Sequence, residues 1–257
     1  MEILLKNKNI LIIGASKGLG EFLAKYLSNA TTKILLVSRS IEKLEKIKNE
    51  LPNKTCEYIS LDLLEENSVD ILLDFMKDIE FEPDIVIYNM GGGLGKKEVL
   101  SKKQDFFEVW NFNVGIQIEI NNRIVPIMIK KGWGRIVSIS SILGKNGGLP
   151  LEPFGGSIQY NTAKSYLNSY NKNLSRELAK YNIVVSTVMP GVMFSEGKYW
   201  DKISRINPDL VTKFLDTHVS NKRFGLYEEV APFVLLLCSE FASYCSGLEV
   251  NIDGGWK

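Results

Sequence analysis

Short apolar runs and longer amphipathic stretches alternate along the whole chain. Residues 10–13, 34–38, 56–61, 85–89, 135–139, 184–189 and 248–252 are rich in Val, Ile and Leu. Continuous apolar runs of this length suit parallel strands covered on both faces. Between them lie helical patterns such as residues 41–51, where Ile41, Leu44, Ile47 and Leu51 recur at helical spacing. The richest apolar run, residues 233–238, reads as a buried helix face. This alternation predicts an α/β fold: a doubly wound parallel sheet of about seven strands with helices on both faces. No repeat, low-complexity linker or composition shift divides the 257 residues, so one domain spanning 1–257 is expected.

Two segments break the alternation. Residues 142–159 hold Gly144, Gly147, Gly148, Gly155 and Gly156 with Pro150 and Pro153, a composition suited to a loop. Residues 192–226 mix helical pattern with Trp200, Phe214 and Phe224. Both follow strand ends, where open α/β sheets bind ligands, so both are expected to be substrate loops. Met193, Phe194, Tyr199, Trp200 and Phe214 either line an apolar pocket or pack a lid onto the body.

Composition narrows the partners. The net charge of +1 and scattered basic pairs such as Lys102 and Lys103 argue against a nucleic-acid or membrane surface. No stretch approaches the roughly 20 apolar residues of a membrane span, and residues 1–8 are charged too early for a signal peptide. Cys56, Cys238 and Cys245 form no even disulfide framework, so reduced thiols and a cytoplasmic setting are expected. His218, the single histidine, leaves no His-rich zinc site and reads as a surface or partly packed residue.

Candidate chemistry begins after the first apolar run. Gly14, Ser16, Lys17, Gly18, Leu19 and Gly20 lie between a predicted strand and a predicted helix over residues 21–27. Strand, glycine turn and helix form the context for dinucleotide recognition, because backbone N–H groups can meet a pyrophosphate there. A plain strand-to-helix turn is the alternative. After the second strand, Ser38 and Arg39 precede any carboxylate. Arg39 can clamp a 2′-phosphate, with Lys17 as a second cation, which favours NADP(H) over NAD(H). Otherwise Arg39 simply faces solvent.

Tyr160 and Lys164 share a helix face at i, i+4, nineteen residues beyond Ser141. A tyrosine hydroxyl near pKa ~10 exchanges protons poorly at neutral pH, and a nearby ammonium lowers that value. A serine at the end of the fifth strand can donate to a substrate oxygen as it gains charge. Strand alternation sends Ser140 and Ser141 opposite ways, so only one should face the site. Asn113 sits against propensity in a long apolar helix, although Asn111 and Asn121 show that asparagine is common there.

On these residues the chain closely resembles the short-chain dehydrogenase/reductase family, classical type, over nearly its whole length. Gly14, Gly18 and Gly20 match its glycine motif, and Asp62 matches its adenine-contacting acid. Asn89 and Gly91 match its strand-four segment. Asn113, Ser141, Tyr160 and Lys164 match its catalytic tetrad, and Pro190, Gly191 and Ser195 match a segment beside the nicotinamide. The resemblance implies a single-domain Rossmann fold and an NADP(H)-dependent oxidoreductase acting on a small carbonyl or secondary alcohol. Tyr160 would be the general acid/base, Lys164 would hold the nicotinamide ribose and lower the Tyr160 pKa, Ser141 would polarise the substrate oxygen, and Asn113 would hold a relay water. Gly14, Ser16, Lys17, Gly18, Leu19, Gly20, Ser38, Arg39, Asp62, Leu63, Asn89, Gly91, Tyr160, Lys164, Pro190, Gly191 and Ser195 would contact the cofactor. A homotetramer is implied, with a homodimer as the alternative. No metal is expected.

Ile13, Tyr88 and Met90 depart from the family pattern and are expected to alter hydrogen bonds near the adenine. The long interval before Tyr160 is expected to give an unusual entrance. A β-ketoacyl-(acyl carrier protein) reductase is the leading specific alternative. A non-catalytic NADP(H)-binding regulator needs neither Tyr160 nor Ser141. An extended-type epimerase resembles a different glycine loop and carries a larger C-terminal domain.

Overall fold

A computed structural model describes residues 5–51, 56–96, 98–145, 147, 157–197 and 199–257. Seven parallel strands form one sheet in the order β3-β2-β1-β4-β5-β6-β7. They are β1 (Leu5–Ile13), β2 (Thr31–Ser38), β3 (Cys56–Ser60), β4 (Ile85–Tyr88), β5 (Gly134–Ile139), β6 (Ile183–Pro190) and β7 (Glu249–Ile252). The helices are α1 (Gly18–Ser28), α2 (Ile41–Glu50), α3 (Ser68–Asp78), α4 (Lys103–Trp110), α5 (Ile116–Lys131), α6 (Ile158–Leu178), α7 (Tyr199–Ile206), α8 (Pro208–His218) and α9 (Tyr227–Cys238). Each predicted strand is present. Strand β1 also runs back through the polar residues Lys6, Asn7, Lys8 and Asn9, and its register with β2 shifts between Leu5 and Asn9.

Strand alternation splits the core into two layers. Ile10, Ile12, Ile34, Leu36, Ile85 and Ile87 pack with Leu23, Leu44 and Val234 of α1, α2 and α9. Leu11, Ile13, Leu35, Val37, Val86 and Tyr88 pack with Leu72, Ile120 and Leu178 of α3, α5 and α6. Along β1, β2 and β4 both faces are dry, which is why residues 10–13, 34–37 and 85–88 read as unbroken apolar runs. A third cluster, Val211, Phe214, Leu215 and Val219, lies in the 192–226 segment, which folds as α7 and α8 rather than as open loop.

Several expectations need correction. Ile41 is 46% exposed, while Leu44, Ile47 and Leu51 are buried as expected. In α9 the buried stripe is Val230, Val234, Leu237 and Cys238, leaving Phe233 and Leu236 exposed, because one helix face cannot bury every side chain of an apolar run. Asn113 lies not in a regular helix but in a π-helical turn, Asn111–Gly115, that joins α4 to α5. Of the 142–159 segment, Ile142–Gly144 forms a 3₁₀ turn, whereas Gly148, Pro150, Pro153, Gly155 and Gly156 lie outside the described residues. Among the described residues, no helix is long and apolar enough to cross a membrane and no cluster could hold a metal ion.

Candidate active site

The chain leaves β5 at Ser140 and Ser141, and alternation separates them. Ser140 is buried and donates to Asn168 Oδ1 at 2.5 Å. Ser141 instead lines a cavity of about 430 Å³ together with Tyr160. Tyr160 stands in the first turn of α6, where its N–H donates to Ser157 Oγ at 3.2 Å in an N-cap contact. One turn on, Lys164 is 2% exposed and its Nζ donates to the Ile139 carbonyl at 2.9 Å. Asn113 donates to the Gly92 and Val109 carbonyls at 2.8 and 2.7 Å and accepts from the Gly92 N–H at 3.1 Å. The π turn, a common departure from helix at functional sites, thus clamps the strand that leaves β4. A Cβ at Gly91 would fall 2.7 Å from Asn113 Oδ1 and 2.8 Å from Lys164 Nζ, so the two polar heads converge on that glycine.

Burial governs the proton affinities here. It pushes the Lys164 ammonium down from 10.5 to about 7. It also holds the Tyr160 hydroxyl above its ordinary value, with the Ser141 hydrogen bond acting in the opposite sense. The expected lowering of Tyr160 by Lys164 is not seen. Nζ lies 5.8 Å from the Tyr160 ring centre and is spent on a backbone carbonyl.

A second cavity, about 330 Å³, opens beyond β1, β2 and β4. Gly14, Ser16, Lys17, Ser38, Arg39, Asp62, Leu63, Asn89 and Gly91 all line it. Gly14 turns at φ +85°, and a Cβ there would lie 2.9 Å from the Met90 nitrogen. At Gly20 a Cβ would strike the Gly14 carbonyl oxygen at 2.1 Å, so α1 can pack this close to the turn only without a side chain. Asn89 Nδ2 donates to the same oxygen at 3.0 Å. Arg39 reaches toward Asp62 at 3.5 Å, both groups open to solvent. Ser38 Oγ is enclosed and has no protein partner among the described residues.

Other expected contacts lie apart from that cavity. Leu19 packs against the α1 side of the core. Pro190 ends β6, and Gly191 lines the Ser141–Tyr160 cavity. Ser195 hydrogen-bonds the Tyr227 hydroxyl. Tyr88 is corrected: its hydroxyl turns away from the cleft and donates to Asn121 Oδ1 at 2.7 Å, while Asn121 Nδ2 donates to the Tyr170 hydroxyl at 3.1 Å. Ile13 is likewise core, and only Met90 of the three departures lines the cleft.

The short chain dehydrogenase family model matches residues 8–199. The protein belongs to the short-chain dehydrogenase family. It is 31% identical over 258 residues to the 3-oxoacyl-(acyl-carrier-protein) reductase FabG of Aquifex aeolicus, covering 99% of each chain. It is also 31% identical over 252 residues to the reductase of the same name from Rickettsia prowazekii, covering 98% of this chain and 97% of that one. Among solved structures, L-sorbose reductase from Gluconobacter frateurii, complexed with NADPH and L-sorbose, superposes with a TM-score of 0.87 at 25% identity, covering 99% of this chain and 98% of that one.

In this short-chain dehydrogenase the aromatic residues of the 192–226 segment divide their work. Met193, Tyr199 and Trp200 line the Ser141–Tyr160 cavity, whereas Phe214 packs on Trp200, ring centres 4.3 Å apart, and Phe194 packs on Phe224. His218 is half-buried and stacks on Trp256, as expected of a packing residue. Trp256 itself lines the cavity. Sequence reasoning missed it, along with Ser40, Lys43, and Phe112 at the dinucleotide cleft. Lys43 had a usable signal, since it lies four residues past Arg39 at the start of α2. Trp256 had none, because only the fold brings the chain's end to the site.

Proposed function

We propose that the protein is an NADP(H)-dependent oxidoreductase that interconverts a small carbonyl compound and its secondary alcohol. The observation that carries this reading is the convergence of Ser141 and Tyr160 on one cavity, while Lys164 and Asn113 meet at Gly91 on the wall of the neighbouring cleft. The glycine cradle at Gly14 and Gly20 and the unpartnered Ser38 Oγ suit a bound dinucleotide. NADP(H), when bound, supplies or accepts the hydride.

The residues divide the remaining chemistry. Ser141 donates to the substrate oxygen, and Tyr160 passes it a proton during reduction or takes one during oxidation. Lys164 holds the nicotinamide ribose hydroxyls, and Asn113 orients a proton relay toward it. Arg39, with Lys43 and Lys17, offers positive charge where a 2′-phosphate would lie; L-sorbose reductase, similar in fold, is complexed with NADPH. Substrate enters past Ile142 and Leu143 on one side and Val192, Tyr199 and Trp200 on the other. Its cavity carries Ile142, Leu143, Val192, Trp200 and Trp256, and its cation Lys96 is already paired with Asp105 and Glu108, which favours a neutral carbonyl compound.

Within this reading, a 3-oxoacyl thioester is the leading substrate class, on the strength of the Aquifex and Rickettsia relatives. A keto-sugar is the second, on the strength of the L-sorbose reductase likeness. A non-catalytic regulator would have no use for Tyr160 and Ser141 at one cavity. The free thiols accord with a cytoplasmic enzyme, and family resemblance favours a homotetramer, which sedimentation would test.

The deciding experiment is NADPH consumption with an acetoacetyl thioester and with L-sorbose, beside Tyr160→Phe and an NADPH-binding titration. Turnover lost in Tyr160→Phe, with NADPH binding kept, is expected. Undiminished turnover in that variant would remove Tyr160 from the mechanism.

A further inference from the structure

The hydroxyl of Tyr227, the first residue of α9, reaches the glycine turn. It lies 3.1 Å from where a Cβ on Gly18 would sit, so a side chain at position 18 would crowd it. It also shares a hydrogen bond with Ser195, in which either oxygen can donate. The ring is held from behind by Phe22, centroids 6.1 Å apart. Tyr227 opens α9, whose start is fixed by Glu229 accepting from the Leu226 N–H at 2.9 Å. The hydroxyl is therefore presented by a braced ring and is not left to swing in solvent.

Gly18 is the first residue of α1, where unsatisfied N–H groups and the positive helix end favour a diphosphate. We infer that Tyr227 is a further dinucleotide-positioning residue, its O–H donating to a diphosphate oxygen while its oxygen accepts from Ser195. This arrangement uses each hydroxyl once as donor. It ties the 192–226 segment to the glycine turn, so that the diphosphate would order the wall of the substrate cavity. The assignment rests on the dinucleotide reading above.

The test is equilibrium titration of NADPH, NADH and adenosine 2′-monophosphate into the wild type and Tyr227→Phe, with melting temperatures for both. Phenylalanine keeps the contact with Phe22 and removes only the hydroxyl. Loss of a hydrogen bond to a charged group should weaken both dinucleotides about 10-fold. Adenosine 2′-monophosphate, which lacks the diphosphate, should bind both proteins alike. Equal NADPH affinity in the two proteins would overturn the assignment. So would a matching loss for adenosine 2′-monophosphate, which marks a general distortion of the cleft. If the wild type binds neither dinucleotide, the dinucleotide reading itself fails and the assignment falls with it.

Discussion

Replacing Lys164 with methionine should stabilise the free protein while abolishing its turnover. The ammonium is buried beside one backbone carbonyl, and burial lowers its pKa from 10.5 to about 7. Each unit corresponds to about 1.4 kcal/mol, so keeping the lysine costs the fold about 5 kcal/mol in acid and somewhat less at pH 7. Methionine retains the unbranched stem without the charge. It loses the bond to Ile139 and leaves that carbonyl poorly satisfied, which offsets about 1–2 kcal/mol. The net gain near neutral pH is about 2–3 kcal/mol, or roughly 5–10 °C in Tm for a chain of this size.

The pH dependence gives the sharper check. Below about pH 7 the lysine is protonated in both folded and unfolded states, and the full cost stands. Between about 7 and 10.5 the unfolded chain holds a proton that the folded one lacks, so the wild type gains stability as pH rises. Above 10.5 neither state is charged and the cost is gone. The advantage of Lys164→Met should therefore shrink by about 3 kcal/mol between pH 6.5 and 9.5. Urea unfolding of both proteins without cofactor, at those two pH values, measures the difference, and other titrating groups cancel in it. A gap unchanged across the window would refute the claim that burial depresses Lys164.

Three further outcomes follow from the same geometry. Gly91→Ala should push Asn113 and Lys164 from their meeting point and lower kcat by at least about tenfold, as each kcal/mol and a half of misplacement implies; an unchanged kcat in steady-state assays would count against that convergence. Arg39→Asp should weaken NADPH far more than NADH in fluorescence titrations, by about tenfold or more for one charge-assisted contact, and equal losses would remove the phosphate clamp. Trp256→Ala should raise the KM for the carbonyl substrate while leaving the KM for NADPH alone, and a parallel rise in both would show that the residue merely supports the fold.

Legibility followed the range of the interaction. The central strands could be read because residues 10–13, 34–37 and 85–88 are unbroken apolar runs between two dry faces, and in β5 and β6 the polar Arg135, Ser138, Ser186 and Thr187 are too few to hide the pattern. Where β1 runs back through Lys6 to Asn9, the apolar run gives way to polar residues and the pattern fails, although β1 still pairs with β2 through Leu5 and Thr31. Alternation predicted that Ser140 and Ser141 must diverge, yet not which one faces the cavity, because that depends on which side α6 covers. The same rule, applied to Ile85, Val86, Ile87 and Tyr88, would have placed Tyr88 in the core beside Val86 rather than near the adenine. Ile41 and Phe233 were misread for a simpler reason: periodicity marks an apolar helix without saying how much of it finds a neighbour. Of the residues that stayed hidden, Trp256 reaches its cavity and Tyr227 the glycine turn from distant segments, while Lys43 reaches its cleft from an exposed helix start. What no pattern could carry is energetic. Four residues of spacing put Tyr160 and Lys164 on one face, but the depth of burial decides that Lys164 titrates near neutrality and that its charge is held against the stability of the fold. The proposed role, holding a ribose, would require the lysine to stay dry and accept that cost, and so position is readable from sequence here while proton affinity is not.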